Sequence, residues 1–312
     1  MAVTAPLAIK DFKADTHNNW CPGCGDFGIL TAMQSALAQL GIPPYKVAVV
    51  SGIGCSGKTP HYVQSYGFHT LHGRSLPTAT GVKLANKDLT VLAVGGDGDG
   101  YGIGAGYFVN TGRRNVDMTY IVMNNSVYGL TKGQASPTLG KGIKTKSMPM
   151  PAIQDGINPI ALAIGAGYTF IARGYALDVK NLTGIIKAAI QHRGTSFVDV
   201  LQTCPTYNDL YTKEWYDKSA AGNSRLFRLE DTGYDGVVHD PTNADEVIQK
   251  KVQAVARSYE WGERIPVGIY YKIDVPTYEE QVASRQPALG QTPIVDLDHS
   301  GRDVTSLLEE LR

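Results

Sequence analysis

The chain has 312 residues, 43% of them apolar and 19% charged, with 29 basic side chains set against 29 acidic ones. That balance excludes the charge asymmetry of a nucleic-acid or membrane-surface binder. The longest apolar runs, such as Val47 to Val50 and Leu89 to Val94, are far too short to span a bilayer. The N-terminus, Met1-Ala2-Val3-Thr4-Ala5-Pro6, has no basic segment followed by a long apolar run. A soluble, cytoplasmic enzyme is expected, with no nucleic acid and no membrane among its partners.

In chain order, the first feature is the turn Cys21-Pro22-Gly23-Cys24, followed by a helical pattern from Gly28 to Leu40 and an apolar strand, Lys46 to Val50. That strand runs into Gly52-Ile53-Gly54-Cys55-Ser56-Gly57-Lys58-Thr59, which satisfies the pattern of a phosphate-cradling P-loop. Thr59, however, precedes Pro60 and is biased away from the helical backbone that such a loop requires. A second strand, Leu89 to Val94, leads into Gly95-Gly96-Asp97-Gly98-Asp99-Gly100 and a helix from Ile103 to Thr111. A third, Met118 to Met123, leads into Asn124-Asn125-Ser126-Val127-Tyr128.

Next come a helix from Pro159 to Gly165, a strand from Tyr168 to Ala172, a helix from Val179 to His192 and a strand from Ser196 to Leu201. Apolar strands alternating with helices predict an α/β fold, a mostly parallel sheet with helices on both faces. Ligands then belong beyond the carboxyl ends of the strands. After Thr203-Cys204-Pro205 the pattern breaks into a Tyr/Trp-rich stretch, Tyr207 to Tyr216, a helix from Ala244 to Ser258, an apolar run from Pro266 to Tyr271 and a polar tail. The expected division is a ligand-binding domain over 1–206 and an extension over 207–312 that packs on it and on a partner, with the tail as a wrapping arm. Tyr207, Tyr211 and Trp215 are candidates for that interface or for the core.

Two constellations carry chemistry. All four cysteines, Cys21, Cys24, Cys55 and Cys204, lie in Gly- or Pro-rich turns. Four turn thiolates match one metal centre, either an iron–sulfur cluster or a Cys₄ zinc. Two single ligands drawn from distant segments favour the cluster over the two tight pairs usual in structural zinc. Disulfides would require an oxidising compartment. Asp97 and Asn125 form the second constellation. They lie 28 residues apart, about one strand–helix–strand unit, and each ends an apolar strand. Their oxygens can hold a magnesium ion that also binds a diphosphate, whose phosphates would approach the backbone of the glycines after Asp97.

With these residues in place a resemblance emerges. Gly96-Asp97-Gly98 through Asn124-Asn125 resembles the thiamine-diphosphate motif of 2-oxoacid-transforming enzymes. Trp20 to Gly25, Gly52 to Ser56, His72-Gly73-Arg74 with Ala79-Thr80-Gly81, and Cys204-Pro205 narrow it to the β subunit of the 2-oxoacid:ferredoxin oxidoreductases, over roughly residues 15 to 275. The resemblance implies a [4Fe–4S] cluster on Cys21, Cys24, Cys55 and Cys204. It implies Mg²⁺ on the Asp97 carboxylate, the Asn125 side chain and the Val127 carbonyl, and a thiamine diphosphate site that includes Gly96, Gly98, Asp99, Cys55 and Arg74. Coenzyme A would take the acyl group left after CO₂ departs, and ferredoxin would take the electrons. A larger α subunit would supply the activating glutamate and most contacts to the 2-oxoacid and coenzyme A.

Within that resemblance, Arg74 is a better phosphate or carboxylate partner than His69 or His72, and Lys58 either tunes the cluster or lies in solvent. Lys132, in Tyr128-Gly129-Leu130-Thr131-Lys132-Gly133-Gln134, is expected to border the substrate's carbon chain and to pair with the second carboxylate of 2-oxoglutarate. Lys180 is a second candidate. Pyruvate-specific relatives tend to lack a lysine at the place of Lys132. Two other classes compete with the oxidoreductase: a non-redox thiamine-dependent decarboxylase with a structural zinc, and an electron-transfer module, which leaves Asp97 and Asn125 without a role.

Overall fold

The computed structural model describes residues 6–286 together with Thr305 and Glu309. Its framework is a run of apolar, β-branched-rich segments that pair into one sheet, with helices formed by the amphipathic stretches between them. In chain order these are α1 (Asp26–Leu40), β1 (Val47–Ser51), β2 (Tyr66–His69), α2 (Ser75–Ala85), β3 (Thr90–Gly96), α3 (Ala105–Arg114) and β4 (Met118–Asn124). A two-stranded ribbon follows, β5 (Val127–Tyr128) and β6 (Gln134–Ala135), then α4 (Pro159–Ala166), β7 (Phe170–Tyr175), α5 (Val179–Gln191) and β8 (Thr195–Leu201). The remainder comprises α6 (Lys213–Asp217), β9 (Leu226–Arg228), α7 (Ala244–Ser258), β10 (Ile265–Lys272) and α8 (Tyr278–Arg285).

The strand order is β2-β1-β3-β4-β8-β7-β10-β9, all parallel except where β10 meets β7. The mostly parallel α/β fold is thus as expected. Alternate residues of each central strand face opposite layers. Val47, Val49, Leu92, Val94, Ile121 and Met123 pack with Ile29 and Met33 of α1 and Leu182 and Ile186 of α5. Ala48, Val50, Val91, Ala93, Tyr120 and Val122 pack with Leu76, Phe108, Ile160 and Ala254 of the opposite helices. Strands buried on both faces are why these segments read as unbroken apolar runs.

From β1 the chain moves outward to β2 and then back across to β3 on the other side of β1. This reversal opens a crevice at the carboxyl ends of β1 and β3, the position where open α/β sheets bind ligands. Beyond residue 207 the chain adds β9 and β10 to the same sheet. Tyr211 and Trp215 stack with Tyr216 and Trp261 in an aromatic cluster, so those two aromatics serve the core. Of the arm expected after Tyr271, the described part runs to Gln286 and lies on the domain, with Glu279 of α8 accepting from Asp117 N at 3.0 Å; apart from Thr305 and Glu309, the rest lies outside the described residues.

Candidate active site

The loops leaving β1, β3 and β4 enclose one cavity at this crevice. It is lined by Ile53 to Ser56, by Gly96, Asp97, Gly98 and Asp99, and by Met123, Asn125 and the segment Val127 to Thr131, together with Asp26 and His72. Immediately after β3 the backbone makes a π-helical turn over Gly98–Ile103, with Asp97 at its start. Such turns are rare and recur at functional sites.

Asp97 is 1% exposed. Its Oδ2 accepts from Ser126 N at 2.9 Å, from Thr138 Oγ1 at 2.6 Å and from Ser136 Oγ. Burial pushes its carboxyl up to about 6 despite the hydroxyls of Ser136 and Thr138 and the backbone amides of Gly98 and Ser126. A carboxylate desolvated to this degree gains from a cation. Asn125 Oδ1 accepts from Val127 N at 3.0 Å, and its carbonyl accepts from Asn208 Nδ2 at 2.8 Å. Ser126 adopts a left-handed φ of 64°, a conformation non-glycine residues seldom take without a local reason.

Thr138 Oγ1 also lies 2.8 Å from Asn124 Oδ1, and Asn124 Nδ2 donates to Asp199 Oδ1 at 2.9 Å. Asp199 accepts in turn from Arg173 Nε at 3.0 Å, both side chains being buried. A buried ion pair is thereby connected through two polar side chains to the carboxylate at the mouth of the sheet.

Asp99 joins three loops. Its Oδ1 accepts from Ile53 N at 3.0 Å and Gly73 N at 2.8 Å, and lies 2.6 Å from His72 Nδ1. The approach is close enough that a Cβ on Gly52 would fall 2.0 Å from Asp99 Oδ2. His72, rather than Arg74, is therefore the residue of its segment that reaches the cavity. Arg74 does not line this cavity: it is exposed, and its guanidinium lies 4.7 Å from the Tyr107 ring centroid and bonds the Tyr107 hydroxyl. His69 is also outside, exposed and 3.1 Å from His61. Lys132 is exposed with a φ of 80°, next to lining residue Thr131 but not itself lining the cavity.

A second cavity adjoins the first, sharing Cys55, Asn125, Gly129 and Leu130 with it. All four cysteines line it, with Lys58, Gln202 and Tyr207. The Cys-x-x-Cys turn is held by Cys24 N donating to Cys21 O at 3.0 Å, and the Cys55 loop by Trp20 Nε1 donating to Cys55 O at 2.7 Å. All four thiols are free of disulfides. Burial and the neighbouring Asp26 push the Cys24 thiol far up, and the same two causes raise Cys55 to about 11. Burial raises Cys204 as well. Thiols held protonated in this way release their protons when a metal supplies the compensating charge.

Among the described residues no three His, Cys, Asp or Glu side chains stand close enough to hold one metal ion. The four sulfurs instead line one cavity together. Room is left at Gly129, where a Cβ would stand 3.5 Å from Cys55 Sγ and 3.7 Å from Cys204 Sγ. Gln202, buried, donates from Nε2 to Cys24 Sγ at 3.2 Å, a contact that no local pattern in the sequence signals.

Asp26 and Ser56 were also absent from the expected set. Both are buried and both line the first cavity, and no N–H or O–H group among the described residues bonds either side chain. Burial pushes Asp26 up to about 7, with the Cys24 thiol and the Lys58 ammonium partly offsetting it. An acidic residue directly after Cys-x-x-Cys-Gly was the available signal, and it reads equally well as an ordinary charge at a helix start.

Comparison with known proteins agrees with this geometry. Residues 52–200 match the family described as "Thiamine pyrophosphate enzyme, C-terminal TPP binding domain", and residues 204–286 match the family of the C-terminal part of the "Pyruvate ferredoxin oxidoreductase beta subunit". The chain is 55% identical over 304 residues to the 2-oxoacid:ferredoxin oxidoreductase subunit beta of Saccharolobus solfataricus, covering 95% of this chain and 97% of that one. It is 54% identical over 299 residues to the protein of the same name from a Sulfolobus species, covering 94% and 95%. Among solved structures, the 2-oxoglutarate:ferredoxin oxidoreductase from Magnetococcus marinus, with 2-oxoglutarate, coenzyme A and succinyl-CoA bound, superimposes with a TM-score of 0.83 at 34% identity, covering 100% of this chain and 98% of that one.

Proposed function

The chain belongs to the β-subunit family of the 2-oxoacid:ferredoxin oxidoreductases, and from that premise we propose that it forms the Mg²⁺–thiamine diphosphate anchor and the electron exit of a coenzyme A-dependent 2-oxoacid oxidoreductase. The observation that carries the reading is the shared wall of the two cavities, Cys55 with Asn125, Gly129 and Leu130. Thiamine diphosphate supplies the nucleophilic carbon and the electron sink for decarboxylation, and a thiolate-ligated cluster accepts electrons one at a time.

This chain's residues bind and orient. Asp97, Asn125 and the Val127 carbonyl would hold Mg²⁺, with Ser136, Thr138 and the Ser126 amide fixing the Asp97 oxygen that does not need to move. Gly96, Gly98 and the turn after them let phosphate oxygens approach the backbone. Asp99 and His72 lock the three loops that form the cavity's walls. Cys21, Cys24, Cys55 and Cys204 would hold a [4Fe–4S] cluster, with Gln202 donating to one sulfur and Lys58 beside it.

In this reading the enzyme is completed by an α subunit, as the name that the relatives carry implies, and ferredoxin is the electron acceptor. The substrates are 2-oxoacids, 2-oxoglutarate and pyruvate among them; the Magnetococcus structure, with 2-oxoglutarate and coenzyme A bound, supports the first. Lys132, on the loop that leaves the cavity, is assigned to the distal carboxylate of 2-oxoglutarate. A division at residue 206 and a cytoplasmic setting belong to the same proposal. Four free thiols suit a reducing compartment.

The test is Cys55→Ala in the anaerobically purified two-subunit enzyme. Iron and sulfide should fall and ferredoxin reduction should collapse, with part of the decarboxylation surviving. A variant that keeps full iron, sulfide and ferredoxin-linked turnover would move the cluster elsewhere.

A further inference from the structure

Three buried carboxylates line the first cavity, and two of them have N–H or O–H donors. Asp97 is held by three donors and Asp99 by two amides and an imidazole nitrogen. Asp26 is the exception. It is 1% exposed, and neither of its oxygens accepts from an N–H or O–H group among the described residues. Among its neighbours are the thiols of Cys24, which bonds it, and Cys55. Buried carboxylates are costly unless paired or hydrogen-bonded, so an unpartnered one at a cavity wall marks the place of a bound cation or N–H donor. The Ser56 hydroxyl and Asp99 Oδ2, in the same wall, are likewise without a partner among the described residues, but Asp26 is the carboxylate with neither oxygen held by an N–H or O–H group.

Position narrows the ligand. Asp97 and the glycines after β3 occupy the end suited to metal and diphosphate, whereas Asp26 stands at the cysteine end, where its neighbours are Cys24 and Lys58. The diphosphate and the 2-oxoacid are both anions, which a carboxylate repels. The cofactor's thiazolium ring is the one component with a formal positive charge. We propose that Asp26 is the residue that recognises the charged thiazolium ring, holding the reactive end of the cofactor against the cysteine loop. The inference rests on the reading of this cavity as the thiamine diphosphate site. The ring is thereby placed at the wall shared with the cysteines, on the side from which electrons leave.

The experiment compares thiamine diphosphate with its neutral thiophene isostere, 3-deazathiamine diphosphate. Each is titrated with Mg²⁺ into the two-subunit enzyme, before and after Asp26→Asn, by isothermal titration calorimetry. The variant should bind thiamine diphosphate about tenfold or more weakly, a loss of about 1.4 kcal/mol. Its affinity for the neutral isostere should change much less, and iron and sulfide content should stay the same. Equal losses for the two ligands, or no loss for either, would overturn the assignment. So would a loss of cluster with the two affinities unchanged, since Asp26 would then serve only the cysteine loop. Asp26→Ser removes the same charge and gives the same comparison should the amide variant not assemble. Failure of thiamine diphosphate itself to bind the unaltered enzyme would instead defeat the cofactor reading.

Discussion

Asp97 carries opposing demands that can be measured separately. Its carboxyl is raised by burial from 3.8 to about 6, so the folded metal-free chain keeps a proton that the unfolded chain gives up across that interval. Stability of the metal-free protein therefore falls as pH rises from about 4 to about 6, by on the order of 3 kcal/mol for a shift of about two pH units. Asp97→Asn removes that cost. At pH 7 the metal-free variant should unfold at higher urea than the unaltered chain, and the two should converge near pH 4. The variant should also lose Mg²⁺-dependent thiamine diphosphate binding. Urea melts with and without Mg²⁺ and cofactor check both parts, and a variant no more stable at pH 7 would contradict the burial account.

Lys132 makes the second residue-scale prediction. Exposed on the cavity's exit loop, next to lining residue Thr131, it has the reach of a long cationic side chain. Lys132→Ala should raise KM for 2-oxoglutarate about tenfold, as loss of a ~1.4 kcal/mol contact would, and leave pyruvate kinetics nearly unchanged. Steady-state kinetics on the two substrates decide it, and equal effects would assign Lys132 to the loop's fold. The residues legible in sequence were those in strong patterns: the cysteines, Asp97 and Asn125. Asp26, Ser56, Gln202 and Thr138 were not, because each is a single polar residue whose role depends on neighbours brought together only by the fold.

At the level of elements, the strands and helices read from sequence are those with long apolar runs or clear amphipathic spacing. The helix over Ala244–Ser258 matches its expected bounds. The others shift by up to three residues at either end, most at the strand expected from Tyr168, which runs Phe170–Tyr175, and at the helix expected from Ile103, which runs Ala105–Arg114. β2 went unseen because all four of its residues are exposed at the sheet edge, so no face of it alternates. α2 went unseen because Pro77, three threonine or glycine positions and weak amphipathicity hide a helix that is buried mainly through Leu76 and Ala79.

Close packing of α1 yields a prediction at this scale. A Cβ on Gly28 would fall 2.0 Å from the Ala176 carbonyl oxygen, at the carboxyl end of β7. Gly28→Ala should therefore push the helix outward and destabilise the chain by about 1–3 kcal/mol, as overpacking does, with a loss of iron because Cys24 precedes that helix directly. Denaturant melts and iron analysis measure the two effects. An unchanged melt would mean that α1 is free to shift.

For the whole molecule, the strand order does what local patterns could not foretell. Apolar runs indicated a parallel sheet, but only the excursion from β1 to β2 and back to β3 places the crevice, and only the fold brings Cys204 next to Cys21, Cys24 and Cys55. The result is two cavities with a common wall, one lined by Asp97, Asn125 and the glycine turn after β3, the other ringed by four thiols. The proposed function requires electrons to cross that wall. It is tested most directly by the visible spectrum of the anaerobic two-subunit enzyme, recorded before and after 2-oxoglutarate and coenzyme A are added. The protein should be brown, with absorption at about 400 nm, typical of thiolate-ligated iron–sulfur centres, that bleaches on substrate addition and returns when ferredoxin is supplied. A colourless enzyme that contains zinc and still decarboxylates the substrate would contradict it.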